Sequence, residues 1–138
     1  MNSITALCLL RVTENPTKQI IVLSDNQCVI QQTYEAIKKA GLKHYVSGYT
    51  KSRLLLQQGG SLLFINRGDE KALCGISPDE VIVDGSFNDI TMDEKMALIP
   101  VISSMHSPAM KYIMDNYEGK IQNEWLGGEH GPIYFSKQ

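Results

Sequence analysis

Residues 59–108 read GGSLLFINRGDEKALCGISPDEVIVDGSFNDITMDEKMALIPVISSMHSP, and the fold turns on how this stretch divides. Gly59-Gly60 stands between two apolar runs, which is a hairpin signal, so Leu62 to Ile65 is the returning strand. A loop enters at Cys74-Gly75. Residues 79–84 (DEVIVD) are then a central strand, apolar on both faces as a buried parallel strand should be, and it ends on Asp84. Thr91 and Glu94 form a capping box for the helix that follows. Its apolar positions are Met92, Met96, Ile99 and Ile102, with a break or kink expected at Pro100, whose ring removes a backbone donor.

Working outward, residues 50–58 (TKSRLLLQQ) suit a short helix or an extended strand, and the glycine pair after them favours the strand. Residues 43–49 are read as another strand. The clearest helix lies before it: Ser24 and Gln27 make a capping box, apolar residues fall at Val29, Ile30, Thr33, Ile37 and Ala40, and Gly41 stands where a left-handed cap would end it. Residues 19–24 (QIIVLS) read as a strand, and so do residues 4–12 (ITALCLLRV). The six residues between these two are too short for a parallel crossover, so the two are expected to be antiparallel if they pair. Ser107-Pro108 has the order of a helix start and introduces a helix burying Ile113 and Met114 and stopping near Gly119. A loop around Trp125, Gly127, Gly128, Gly131 and Pro132 leads to a last short strand over 133–136.

Alternating strands and helices around a buried strand predict a three-layer, Rossmann-like α/β sheet flanked by helices, with an antiparallel edge hairpin, as one domain over 1–138. The 138 residues, 43% apolar, suffice for one core and not two. With 13 basic and 15 acidic residues no global field favours nucleic acid or membrane, so any basic patch is local. Cys8, Cys28 and Cys74 form no CxxC and are expected to be reduced, buried hydrophobes in a cytoplasmic protein. No apolar run approaches the ~18 residues of a membrane span, and the N-terminal residues lack the basic start of a signal peptide.

The strand, loop, acid-terminated strand and helix of residues 59–108 resemble the second half of the ATPase core of phage terminase large subunits and related superfamily 2 helicases. That pattern runs roughly G-S-x-apolar, then L-[RK]-G-x-[ST]-x-D-x-V-I-V-D-E. The unit IIVLSDNQCVIQQTYEAIKKAG resembles the strand and helix that precede it in that family, and the likeness spans 18–108. The resemblance implies a P-loop-NTPase-like sheet and makes Asp84 a candidate magnesium ligand. Three positions depart from it: Cys74 replaces the arginine before the central glycine, Gly85 replaces the glutamate that activates water, and no G-x-x-x-x-G-K-[ST] phosphate loop precedes them. The expectation is an ATPase-like core without ATPase activity, without a cofactor and, lacking room for a nuclease domain, not a complete packaging motor.

In an α/β sheet ligands sit at the carboxyl ends of the strands, where Ser24-Asp25, Asn66-Arg67 and Asp84-Gly85 are expected to collect. With the phosphate loop missing, Asp84 is read as a cap on the turn after a buried strand ahead of a magnesium ligand. His44, His106 and His130 are far apart and lack partners at metal spacing, and Ser103-Ser104 near His106 lacks a nucleophile elbow. Lys51, Arg53 and Arg67, with Arg11 as a further candidate, form a small basic patch for phosphate, and Trp125 is a candidate aromatic anchor for a partner. These features predict a non-catalytic binding protein, phage-type by resemblance and then in the host cytoplasm, that modulates a DNA-processing or defence machine. It docks first on protein and second on nucleic acid, and not on membrane. The alternatives are a small α/β enzyme using Asp25, Asp84 and Asp89, or one half of a composite ATPase.

Overall fold

The computed structural model describes residues 1–73, 75–105 and 133–137. Among them six strands make one mixed sheet: β1 (Gln19–Ser24), β2 (Val46–Tyr49), β3 (Arg53–Leu56), β4 (Ser61–Asn66), β5 (Glu80–Val83) and β6 (Ile133–Phe135). The spatial order is β2-β3-β4-β1-β5-β6. β4, β1, β5 and β6 are parallel, and β2, β3 and β4 are joined antiparallel at one side. Helices α1 (Ser3–Glu14) and α2 (Val29–Lys39) pack on one face and α3 (Met92–Met105) on the other. The α/β class and the antiparallel hairpin at the sheet's side agree with the sequence reading.

Strand β1 shows why its sequence is an unbroken apolar run. Ile20 and Val22 pack with Leu54, Leu62 and Ile82 under α1 and α2, while Ile21 and Leu23 pack with Ile65, Val83 and Leu98 under α3. Both faces of the strand are covered, so neither face selects polar residues.

Residues 4–12, read above as a strand, form the body of α1. Ile4, Thr5, Cys8 and Val12 are buried while Ala6 and Leu10, which a pleated strand would put on the same face as Ile4 and Cys8, are exposed, which is a helical stripe. Asn2 caps the first turn, its side chain accepting from the Thr5 N–H at 2.9 Å. The last turn is pinned to the sheet by Arg11, which donates to both carboxylate oxygens of Glu80 at 3.0 and 2.7 Å and lies over the Tyr134 ring. The expected antiparallel pairing with β1 is also excluded by the sheet itself, since β4 and β5 already flank that strand.

The Ser24–Gln27 capping box is absent. Ser24 Oγ accepts from the Asn26 N–H at 2.9 Å, Asn26 Oδ1 accepts from the Cys28 N–H at 3.0 Å, and α2 starts only at Val29. Its end is as expected. The Leu42 N–H donates to Ile37 O and the Gly41 N–H to Lys38 O, both at 3.0 Å, the two bonds of a Schellman motif. Residues 43–45 then make a 3₁₀ turn, so that the strand expected over 43–49 begins at Val46.

The β3–β4 hairpin turns at Gly59-Gly60, and the second glycine has a further reason to be there. Its N–H donates to Pro16 O at 3.0 Å, and a Cβ at this position would lie 2.7 Å from Lys18 O. The hairpin thus rests directly on the backbone that leads into β1.

Helix α3 has the expected capping box, with Thr91 N–H to Glu94 Oε1 at 3.1 Å and Glu94 N–H to Thr91 Oγ1 at 3.2 Å. Its buried side is not the expected one: Leu98 and Val101 are buried with Glu94, whereas Met92 and Met96 are 68% and 61% exposed. The helix is rotated so that Glu94 reaches Arg67 beneath it. Of the break or kink expected at Pro100 the break is absent, and α3 continues to Met105: one lost donor does not end a helix with Leu98 and Val101 buried on either side of it. The helix expected from Ser107-Pro108, with Ile113 and Met114, and the loop around Trp125, Gly127 and Gly128 lie outside the described residues. Among the described residues no helix is long and apolar enough to cross a membrane.

Candidate functional site

After β1 the chain crosses to α2 on one face, and after β5 it leads to α3 on the other. Connections leaving neighbouring parallel strands to opposite faces open a crevice at their carboxyl ends, the usual ligand position in such sheets. Ser24 ends β1 there with Asp25 and Asn26 after it, Asn66 ends β4 with Arg67 after it, Asp84, Gly85 and Ser86 follow β5, and Ser136 follows β6.

Asp84 is the hub of this end of the sheet. Ser24 Oγ donates to its Oδ2 at 2.7 Å and Ser136 Oγ donates to its Oδ1 at 3.1 Å. Each serine is itself held by a backbone donor, Ser24 Oγ by the Asn26 N–H and Ser136 Oγ by the Gly85 N–H at 2.8 Å. The carboxylate therefore ties the turn after β1 to the turn after β6 across β5. This is the cap role that a short acid fills after a strand, extended over three loops.

Arg67 crosses the crevice from β4. Its Nε and Nη2 meet Glu94 Oε2 and Oε1, both at 2.8 Å, while Nη1 donates to Asp84 O at 2.9 Å and Nη2 to Asp89 O at 3.0 Å. The hydrogen bonds that it donates to Glu94 hold the Arg67 guanidinium above its ordinary pKa against the opposing effect of burial. Reciprocally, Arg67 holds the Glu94 carboxyl below the usual carboxylate range. Asp89 is also held low, by the backbone and hydroxyl donors of Ser86. Gly85 sits in the middle with φ 136°, and a Cβ there would lie 3.2 Å from both Arg67 Nη1 and Asp89 Oδ2. Its backbone geometry favours glycine, and a side chain would also crowd these two side-chain ends, at the position where the sequence resemblance has a glutamate.

The other candidates separate. Arg67 is turned inward onto Glu94, its side chain 14% exposed, while Lys51 and Arg53 stand exposed at the β2–β3 turn. Arg11 is bound to Glu80 in the helix–sheet layer. Asp25 is exposed, and Asp84 and Asp89 each have their own serine partners. Among the described residues no three His, Cys, Asp or Glu side chains converge as metal ligands. Cys8 is buried as expected, and burial pushes its thiol up to about 12, so it is no nucleophile at neutral pH. Cys28 is exposed at the start of α2, contrary to expectation, because the helix begins after it. His44 is exposed against Tyr45. Ser103 and Ser104 fall in the last turn of α3, and Cys74, His106, Trp125 and His130 lie outside the described residues.

Sequence reasoning missed Ser136 and assigned Glu94 to capping alone. The one signal for Glu94 was its place in the capping box, which brings its carboxylate to the helix start where Arg67 waits. No family model matches this sequence, and no curated protein matches it.

Proposed function

We propose that this protein is a non-catalytic, nucleotide-independent binding protein on a degenerate terminase- or helicase-like core, acting by docking on a protein of a DNA-processing or defence machine. The observation that carries the reading is the turn after β1. A phosphate site at a helix start needs backbone N–H groups that face outward. Here the Asn26, Cys28 and Val29 amides are taken up by Ser24 Oγ, Asn26 Oδ1 and Asn26 O, and Asp25 adds a negative charge beside them. Arg67 is paired with Glu94, and Asp84 and Asp89 are held by serine donors, which favours a rigid set of loops over a reactive centre. The link to the named machines rests on the sequence resemblance.

Titration calorimetry with magnesium-ATP, with phosphate release followed in parallel, tests this. The expected result is no saturable heat at millimolar nucleotide and no turnover. Saturable binding would overturn the reading.

A further inference from the structure

Between Glu35 and Asp69 the chain contains no acidic residue, yet it holds Lys38, Lys39, Lys43, Lys51, Arg53 and Arg67. The protein is −2 overall, so its acid is concentrated elsewhere. This stretch supplies the end of α2 and the whole β2–β3–β4 side of the sheet. Arg67 is neutralised by Glu94, and Lys38 is paired with Glu35. Lys43, Lys51 and Arg53 are exposed and in no salt bridge with a described residue.

These three cations bracket the sheet edge. β2 has β3 on one side and no strand on the other among the described residues. Lys43 precedes β2, and Lys51 follows it in a tight turn closed by Thr50 N–H to Arg53 O at 2.8 Å and Arg53 N–H to Thr50 Oγ1 at 3.2 Å. Between them the edge carries apolar surface. Tyr49 is 48% exposed, stacked on Tyr34, and Leu55 is 42% exposed. Leu55 is uncovered because its β2 neighbour is Gly48, where a Cβ would meet nothing within 4 Å. The result is a notch over Leu55 with a cation beside it at Arg53.

We infer that the β2 edge takes an extended, acidic segment of a protein partner, laid as an added strand with an apolar side chain in the Gly48–Leu55 notch. Its acidic side chains face Lys43, Lys51 and Arg53. Three considerations choose this occupant. An open strand edge offers main-chain donors and acceptors that another peptide backbone matches in register. A second copy of this chain is disfavoured, because its own edge would bring like charges together, and β2 is short and bulged between Val46 and Gly48. The aliphatic notch suits a side chain, and one face of the exposed Tyr49 ring is already covered by Tyr34, which leaves a base less of the aromatic platform that stacking needs. The inference rests on the binding-protein reading and specifies the partner's chemistry.

The test uses the full chain and four fluorescent probes: a short glutamate peptide with a single central valine, so that glutamates fall on both faces of the added strand, its glutamine and lysine counterparts, and an oligo-dT strand. Anisotropy should show the glutamate peptide binding about tenfold more tightly than the glutamine one, with the lysine peptide weakest. Amide shifts on binding should centre on 46–55. Lys51→Glu with Arg53→Glu should reverse the preference towards the lysine peptide, and Gly48→Val, which fills the notch, should weaken the glutamate peptide while leaving circular dichroism unchanged. Lack of binding by the glutamate peptide, or shifts centred elsewhere, overturns the proposal. Oligo-dT binding that Lys51→Glu with Arg53→Glu abolishes, without peptide binding, makes the edge a nucleic-acid surface instead. The nucleotide titration is unaffected by any of these outcomes, so the two readings fail separately.

Discussion

At the scale of single residues, Gly85 is the position where conformation and chemistry meet. A side chain there would be strained by the backbone, and its Cβ would press on Arg67 Nη1 and Asp89 Oδ2. Gly85→Ala should therefore destabilise the protein by about 2 kcal/mol, the cost of a residue held in a sparsely populated conformation. Gly85→Glu should destabilise at least as much and produce no ATPase activity. Thermal denaturation and a phosphate-release assay on the two variants check this. An Ala variant as stable as the parent would mean that the turn after β5 relaxes freely. The glycine was legible in the sequence only as a departure from a resembling pattern. Its positive φ, set by the hydrogen bonds of Asp84, Ser136 and Arg67 around it, was not.

At the scale of elements, α1 is the part of the fold that the sequence misrepresented. ITALCLLRV has β-branched and apolar residues in nearly every position, so local pattern alone leaves helix and strand open. What decides is tertiary contact: Ile4, Cys8 and Val12 are buried on the sheet, and Arg11 in the last turn meets the buried Glu80 carboxylate of β5. Arg11→Met should cost about 3 kcal/mol, because Glu80 is left buried without a countercharge, with the neutral Asn15 amide still donating to it. Arg11→Met combined with Glu80→Met should recover most of that loss, since a buried ion pair is often no better than two apolar side chains. Urea unfolding of the two single variants and the double variant measures it, and a double variant as unstable as the sum of the singles would show that the pair contributes nothing as a pair.

At the scale of the whole molecule, the strand-end network links stability to pH. The folded protein holds the Glu94 and Asp89 carboxyls below their ordinary range. A carboxyl whose pKa is lowered on folding stabilises the protein above its unfolded pKa, and that stabilisation is lost as pH falls through the lowered folded value. The protein should therefore be at full stability at neutral pH and weaken from about pH 4 downward. Glu94→Gln removes one of the two groups, so the gap in melting temperature between parent and variant should be widest at neutral pH and narrow in acid. Melts at a series of pH values check this. A gap independent of pH would mean that Glu94 acts through packing and not through its charge.

The chain by itself determined the elements whose signals are local. The apolar run of β1, the glycine-pair hairpin, the Gly41 helix end and the Thr91–Glu94 box each depend on neighbours a few residues away, and each was readable. Only the tertiary structure decided which side of α3 is buried, that residues 4–12 coil, and how the crevice charges pair. Those outcomes depend on partners distant in sequence: Arg67 with Glu94, Arg11 with Glu80, and Asp84 with Ser24 and Ser136. A one-dimensional pattern records that a side chain is charged or apolar, and packing alone determines what that side chain faces.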